Sequence, residues 1–175
     1  MTGDGERYAP LPATPQPARP LGASARRVQD ALAARGFDCR VIELDAPVRT
    51  AVEAARAVGC EVGRIAKCLV FRAARSGRPV LVVASGAHRV DEARVAAALG
   101  EPLARAEPDF VREATGFGIG GVPPLAHAVT PEAFVDEELL AFETIWAAAG
   151  HPNALFRLDP RDLPAMTGGR VVAVR

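Results

Sequence analysis

The sequence has no long uncharged apolar segment and no excess of either charge. The first absence argues against a membrane span. The 21 lysine and arginine residues balance the 21 aspartate and glutamate residues. This balance argues against a protein that grips a long stretch of nucleic acid, because backbone binding needs many basic side chains. The N-terminal region has prolines where a secretory signal has an apolar core. We therefore expect one globular domain in the cytoplasm.

Motifs for metal binding and for side-chain catalysis are also missing. The three cysteines show no CxxC or zinc spacing, so we expect reduced, mostly buried thiols. The three histidines form no HxxxH pattern, and no nucleophile elbow or pair of carboxylates stands out. We therefore predict no metal and no cofactor. Any chemistry must rest on positioning and on backbone donors.

The order of the predicted elements indicates a mixed α/β domain. Residues 1–22 are rich in Pro and Ala without an apolar period, which is typical of a disordered tail, and 23–175 form the domain. The predicted helices begin near Ser24, Thr50, Asp91, Pro108 and Asp159. The predicted strands cover 39–44, 65–73, 80–85, 126–129, 143–148, 154–158 and 171–174. Strands and helices alternate irregularly, and 65–73 and 80–85 form a hairpin. The pattern favours a mixed sheet with helices packed on it.

Lys67 is the most unusual residue, because it lies inside the apolar segment IAKCLVF. The alternation of a strand places it on one side with Ile65 and Leu69. An unpaired ammonium is costly to bury, so Lys67 must reach water, an acid or a ligand. Two interpretations stay open. Lys67 is either an edge-strand lysine that snorkels to the surface, or a cation in a cleft that holds a phosphate or carboxylate.

The stretch GFGIGGVPP, residues 116–124, combines four glycines with two prolines. Glycine permits positive φ and close approach of the backbone to a ligand, and Pro123 and Pro124 stiffen the exit of the loop. The stretch is either a tight turn or a cradle of N–H groups for an anion or an oxyanion. It contains a formal GxGxxG, but a predicted helix precedes it and two prolines follow. A dinucleotide site is therefore not favoured.

Three segments together resemble the YbaK/ProX family, the stand-alone relatives of the bacterial prolyl-tRNA synthetase editing domain. They are IAKCLVF, TGFGIGGVPPLAH and ETIWAAAGHPNALFRLDPRDL, and the resemblance extends over residues 24–174. It implies a single domain with a barrel-like mixed β-sheet surrounded by helices. It also implies an aminoacyl-tRNA deacylase, a trans-editing hydrolase that cleaves the ester of a mischarged tRNA.

The resemblance assigns roles to individual residues. Lys67 matches the family's essential lysine, which positions the terminal adenosine and the aminoacyl group. Residues 120–124 match the family's GxxxP loop, so the amides of Gly120 and Gly121 would meet the carbonyl oxygen as it becomes an oxyanion. The terminal ribose hydroxyl of the substrate would help to activate or orient the water. The expected substrate-binding residues are Gly118, Val122, Pro124, Ser85, His127, Gly150 and His151.

The partner that the resemblance implies is the 3′ end of a mischarged tRNA, either tRNA-Pro or another tRNA for a small amino acid, together with a synthetase. The acid removed is expected to be small, such as Ala, Ser, Thr or Cys. After Gly150 the chain reads HPNALF, where cysteinyl-specific members have a longer, more polar stretch with a Gly-Gly-Lys pattern. This departure argues against cysteine specificity and favours Ala, Ser or Thr.

Two other functions stay open at this point. The absence of a side-chain general base suits a non-catalytic module that binds a nucleotide or a tRNA 3′ end in the same cleft. A structural protein that recruits a partner through its Pro-rich tail is the third alternative.

Overall fold

A computed structural model describes residues 20–175 of the chain. Within this range, eight strands form one mixed sheet and five α-helices pack around it. The predicted fold class, a mixed α/β domain, is confirmed. The predicted N-terminal tail, residues 1–22, lies almost entirely outside the described residues and stays a prediction.

Four of the five helices begin and end within about two residues of the predicted positions. The bounds of the five are α1 (Ala23–Ala34), α2 (Ala51–Val58), α3 (Glu92–Leu99), α4 (Pro108–Thr115) and α5 (Leu163–Thr167). The predicted start at Asp159 instead opens a 3-10 turn (Pro160–Asp162), and α5 follows it. The hydroxyl of Thr50 accepts a hydrogen bond from the amide of Glu53 at the start of α2. The carboxylate of Asp91 accepts two amide hydrogen bonds at the start of α3. These side chains satisfy amides that have no partner within the helix.

The strands are β1 (Val41–Glu43), β2 (Ile65–Ala73), β3 (Pro79–Ser85), β4 (Leu103–Arg105), β5 (Glu132–Asp136), β6 (Ile145–Ala148), β7 (Ala154–Leu158) and β8 (Arg170–Val172). Their order in the sheet is β1-β7-β6-β2-β3-β5-β8, and β4 also pairs with β2. β2 and β3 form the predicted antiparallel hairpin, and β2 lies at the centre of the sheet, as its apolar sequence predicts. β6 joins β2 in parallel, and β5 joins β3 in parallel.

The predicted strand at residues 126–129 is wrong. Ala126 has a positive φ of 68°, and the amide of Val129 donates to Ala114 at the end of α4, so this segment turns instead of extending. The strand comes later, at β5, and its residues 133–136 are buried between β3 and β8. The short strand β4 was not predicted, because three residues are too few to show a period. The bounds of the other predicted strands differ by no more than two residues.

The two faces of β2 pack against different clusters of apolar side chains. Ala66 and Cys68 contact the main core, which also contains Val83 of β3. On the opposite face, Ile65 belongs to a cluster with α2 and β6, and Leu69 packs against a separate cluster with α3. The predicted alternation is confirmed by these contacts. It places Lys67 between two apolar clusters on one face of the sheet.

Candidate functional site

A cavity of about 290 Å³ lies beside the central strand β2. Its wall is mostly apolar and comes from β2, the start of α2, the turn between β6 and β7, and the glycine-rich loop at 116–124. The lining residues with polar side chains are Arg49, Thr50, Lys67, Cys68 and His151. Lys67 and the glycine-rich loop therefore border the same cavity.

The cavity lies where β2 has no neighbouring strand on one edge. β6 pairs with Ile65 and Ala66 only, and β4 pairs with residues 71–73 only. Between these two pairings the edge of β2 is open. The amide of Ala73 donates to Arg78 on the β3 side. The N–H and C=O groups of successive strand residues point alternately to the two edges. Cys68 is an odd number of residues from Ala73, so its N–H and C=O point away from β3, to the open edge. The edge offers a donor and an acceptor at the cavity wall.

The Lys67 ammonium is held by one backbone oxygen, because its Nζ donates to the carbonyl of His88 over 2.6 Å. Burial lowers the pKa of Lys67, the positive charge of Arg89 lowers it further, and the negative charge of Asp136 opposes both effects. An ammonium that is partly desolvated interacts more strongly with an anion than one in bulk water. The hydrogen bond to His88 therefore orients the Lys67 amine, and partial burial strengthens its attraction for an anionic ligand.

The loop that binds Lys67 lies beside two carboxylates. The His88 Nε2 lies 3.1 Å from Asp136 Oδ2 and 3.2 Å from Glu138 Oε2. Asp136 is buried and also accepts the amide of Ser85 over 2.9 Å. The hydrogen bond from Ser85 to Asp136 holds the end of β3, and the loop that follows it supplies the His88 carbonyl to the amine of Lys67.

The glycine-rich loop contains a tight turn from Gly118 to Gly121. The amide of Gly121 donates to the Gly118 carbonyl over 3.1 Å. Gly120, the third residue of the turn, has a φ of +88°, and a type II turn requires a positive φ at this position. Among the described residues, none accepts a hydrogen bond from the amide of Gly120 or of Val122, and both residues line the cavity. The amides of Gly120 and Val122 are therefore free donors at the cavity, whereas that of Gly121 is used within the turn.

Gly121 has a packing role that only glycine can fill. A Cβ at this position would lie 2.8 Å from the Cα and the backbone nitrogen of His151. The carbonyl of Gly121 accepts the amide of Gly150 over 2.8 Å. This contact fastens the glycine-rich loop to the turn between β6 and β7, and so closes the cavity on that side.

The predicted substrate-binding residues divide between three places. Val122 and His151 line the cavity with Lys67 and Gly120. Gly118, Gly121 and Gly150 shape the two turns behind its wall. The remaining residues, Ser85, Pro124 and His127, lie elsewhere.

The last three residues are engaged in the fold. The hydroxyl of Ser85 is buried and donates to the Gly63 carbonyl over 2.9 Å. Pro124 and His127 line a different hollow. The His127 Nε2 lies 2.6 Å from the Pro123 carbonyl, to which it must donate, and burial lowers the pKa of this imidazole. His127 thus braces the exit of the glycine-rich loop.

The sequence did not identify the contribution of α2 to the site. Arg49, Thr50 and Ala51 line the cavity at the start of this helix. The capping pattern of Thr50 and Glu53 predicted where α2 begins, but the pattern says nothing about which helix start meets β2. Only the tertiary structure decides that the start of α2 lies against β2.

The described part of the chain contains no metal site, and the thiol that lines the cavity is not reactive. No group of three or more His, Cys, Asp or Glu side chains in residues 20–175 could hold a metal ion. Burial raises the pKa of the Cys68 thiol to about 12, so this thiol is protonated at neutral pH and is a poor nucleophile. Over the same residues, no helix combines the length and the apolar character that crossing a membrane requires.

Known proteins resemble this chain in sequence and in structure. A family model of the aminoacyl-tRNA editing domain matches residues 45–166. The chain is 33% identical over 131 residues to the uncharacterized protein YwhH of Bacillus subtilis (strain 168), which covers 75% of this chain and 83% of that protein.

Two solved structures extend the likeness to most of the chain. One was described as a candidate trans-editing enzyme for prolyl tRNA synthetase. It is 49% identical, has a TM-score of 0.85, and the match covers 89% of this chain and 99% of that one. The other is the hypothetical protein APE2540, which is 32% identical with a TM-score of 0.78, over 85% of this chain and 98% of that one.

Proposed function

The chain belongs to the aminoacyl-tRNA editing domain family, and we propose that it removes a wrongly attached small amino acid from tRNA. It acts in trans, after a synthetase has released the mischarged product. The observation that carries the proposal is that one cavity holds both Lys67 and the free amides of Gly120 and Val122. A cation and two backbone donors are what an ester of a nucleotide end requires for binding and for stabilisation of its oxyanion.

The proposed reaction is hydrolysis of the aminoacyl ester. Water adds to the carbonyl carbon, and the carbonyl oxygen becomes an oxyanion that accepts hydrogen bonds from Gly120 and Val122. The bond from this carbon to the ribose oxygen then breaks, the ribose oxygen takes up a proton, and the free amino acid leaves. Lys67 positions the terminal adenosine and the aminoacyl group. The neighbouring ribose hydroxyl orients the attacking water, because the cavity wall offers no carboxylate as a general base.

The shape of the cavity supports a small acyl group. Its volume of about 290 Å³ must also hold part of the terminal nucleoside, and its wall includes Ile65, Val122 and Leu155. An apolar wall excludes larger side chains well, but it separates Ala from Ser or Thr poorly. We therefore propose Ala, Ser or Thr as the acid removed, from tRNA-Pro or another tRNA for a small amino acid.

The test is a panel of tRNAs charged with Ala, Ser, Thr or Cys, in which loss of the ester is followed over time. We expect hydrolysis of at least one of the first three, and we expect Lys67→Ala to lower kcat/KM by about 100-fold or more, in the range of a lost electrostatic contact to the reacting group. Arg56→Ala is the matched control, because Arg56 is an exposed cation of α2 outside the cavity.

Each other result of the panel has a defined meaning. Failure to hydrolyse any of the four substrates, where a known editing enzyme succeeds, would contradict the proposal. Saturable binding of an aminoacyl-adenosine analogue without turnover would support the alternative of a non-catalytic binding module. Full activity of Lys67→Ala would show that the essential cation is another residue.

A further inference from the structure

Arg49 is a second cation at the cavity that the proposed reaction does not use. It lines the cavity and is exposed. Its backbone is fixed, because its amide donates to the Glu53 carboxylate over 2.6 Å. No described residue forms a hydrogen bond or an ion pair with its guanidinium. The charge of Arg49 is therefore available to a ligand.

Arg89 supplies a third cation from another segment. It follows His88, whose carbonyl holds the Lys67 amine, and it is exposed. Its positive charge acts on Lys67 strongly enough to lower the pKa of that amine. Within residues 20–175, its guanidinium likewise has no hydrogen-bonded or ionic partner. Arg49 lines the cavity together with Lys67, and Arg89 is next in the chain to the residue whose carbonyl holds the Lys67 amine.

Of the carboxylates beside the segments of these cations, that of Glu53 accepts the amide of Arg49, and that of Glu138 pairs with Arg175. The cavity wall contains no aspartate or glutamate. The acid that acts on Lys67, Asp136, is buried and already contacts His88 and the amide of Ser85. Like charges brought close together cost free energy, and an anionic ligand between them removes this cost.

Two other hollows of the described chain have compensated charges. One contains the carboxylate of Glu43, which accepts the amide of Gly22. The other contains Arg35, whose guanidinium donates to the carbonyls of Ala165 and Met166 at the end of α5. Unlike these two hollows, the cavity beside β2 has two cations and no carboxylate in its wall, and no described residue pairs with the Arg49 guanidinium.

We propose that Arg49 and Arg89 bind the phosphodiester group next to the terminal adenosine of the substrate. The inference rests on the proposed function and deepens it, because it names the part of the tRNA end that these two side chains recognise. A guanidinium offers paired N–H donors that match two phosphate oxygens. Lys67 then remains free for the adenosine and the aminoacyl group.

The test compares two substrates that differ in this phosphate. The first is aminoacylated tRNA, and the second is aminoacyl-adenosine with the same amino acid and no 5′ phosphate. We expect Arg49→Gln and Arg89→Gln each to lower kcat/KM for the tRNA by about tenfold, mainly through KM, which is the order of one charge-assisted contact. For aminoacyl-adenosine the change is expected to stay below about twofold. Arg56→Gln is the control of equal charge.

A binding measurement keeps this inference separate from catalysis. Calorimetry with 5′-AMP and with adenosine is expected to show tighter binding of 5′-AMP by the wild-type protein, and the preference is expected to disappear in the Arg49→Gln, Arg89→Gln double variant. If the wild-type protein hydrolyses no ester but shows this preference, the proposed function fails and the phosphate site stands. Equal losses for both substrates, or no preference for 5′-AMP, would overturn the phosphate site.

Discussion

At the scale of single residues, Lys67 is distinguished by being the only lysine in the chain, so the other 20 of its 21 basic residues are arginines. A lysine amine is a compact cation with three donors, and among the described residues Lys67 has one acceptor, the backbone oxygen of His88. The residue therefore has donors left for a ligand. Because the chain has one lysine, the titration of its amine can be measured without overlap from other lysines.

The pKa of Lys67 can be followed directly, because protein labelled with ¹³C-lysine has one lysine Cε resonance. We expect its titration midpoint to lie below the ordinary value of about 10.4, since burial and Arg89 disfavour the ammonium. Arg89→Gln is expected to move the midpoint upward. A midpoint at or above the ordinary value would contradict the electrostatic description of the site.

The same shift has a consequence for stability. Between the lowered pKa of the folded chain and about 10.4, the unfolded chain binds more protons at Lys67, so this residue makes the free energy of unfolding rise with pH across that window. Below the window, the protonated amine destabilises the fold. The measurement is the free energy of unfolding in urea of wild type and of Lys67→Met at several pH values. The cysteines also titrate in this range, but they are present in both proteins, so the difference between the two free energies reports on Lys67. A difference that does not change with pH would contradict this effect.

Gly121 allows a second prediction at this scale. In Gly121→Ala the new Cβ meets backbone atoms of His151 at 2.8 Å, and backbone cannot move aside cheaply. We expect a loss of about 2 kcal/mol in the free energy of unfolding, as for other overpacked sites. Gly118→Ala is the control in the same loop, because its Cβ meets only the flexible end of Arg112. Equal losses for the two variants in urea unfolding would show that the close contact is not what matters.

At the scale of elements, the site depends on a strand that is longer than its neighbours. β2 extends past the end of β6 before it meets β4, and the open edge between them forms the back of the cavity. α2 reaches this edge with its first turn, so the start of the helix is part of the site. The residues that end the β6 pairing and begin α2 therefore also shape the cavity.

The cap of α2 tests this coupling. Thr50→Ala removes the acceptor for the amide of Glu53, and we expect it to cost about 1 kcal/mol of unfolding free energy. Because Thr50 and Ala51 line the cavity, we also expect KM for the aminoacyl ester to rise. Asp91→Ala is the matched control: it removes the cap of α3, whose residues do not line the cavity. Equal changes in KM for both variants would argue against a specific role of α2.

At the scale of the whole molecule, the domain brings together segments that are far apart in the chain. The amine of Lys67 meets His88, the loop at Gly121 meets Gly150, and Arg49 meets the same cavity from a third region. The packing of the core begins near the start of the described residues, since Leu21 contacts the main core and Ala25 is fully buried.

Truncation tests how much of the chain this domain needs. A chain that begins at Pro20 keeps all of these contacts, so we expect its kcat/KM to stay within about twofold of the full chain and its unfolding free energy within about 0.5 kcal/mol. A chain that begins at Arg26 lacks Ala25 and the contact of the Gly22 amide with Glu43, and we expect it to be clearly less stable. A large loss of activity on removal of residues 1–19 would support a functional role for the tail.

The amino-acid sequence by itself determined the elements that local rules govern. The caps at Thr50 and Asp91, the apolar run of β2 and the tight turn at Gly120 follow from neighbours within a few residues, and all were visible as patterns. Only the tertiary structure decided which amides of the glycine-rich loop are free, that Ser85 and His127 are engaged in the fold, and that Arg49 lines the same cavity as Lys67. These properties depend on contacts between distant segments, and no local pattern records which segments will meet.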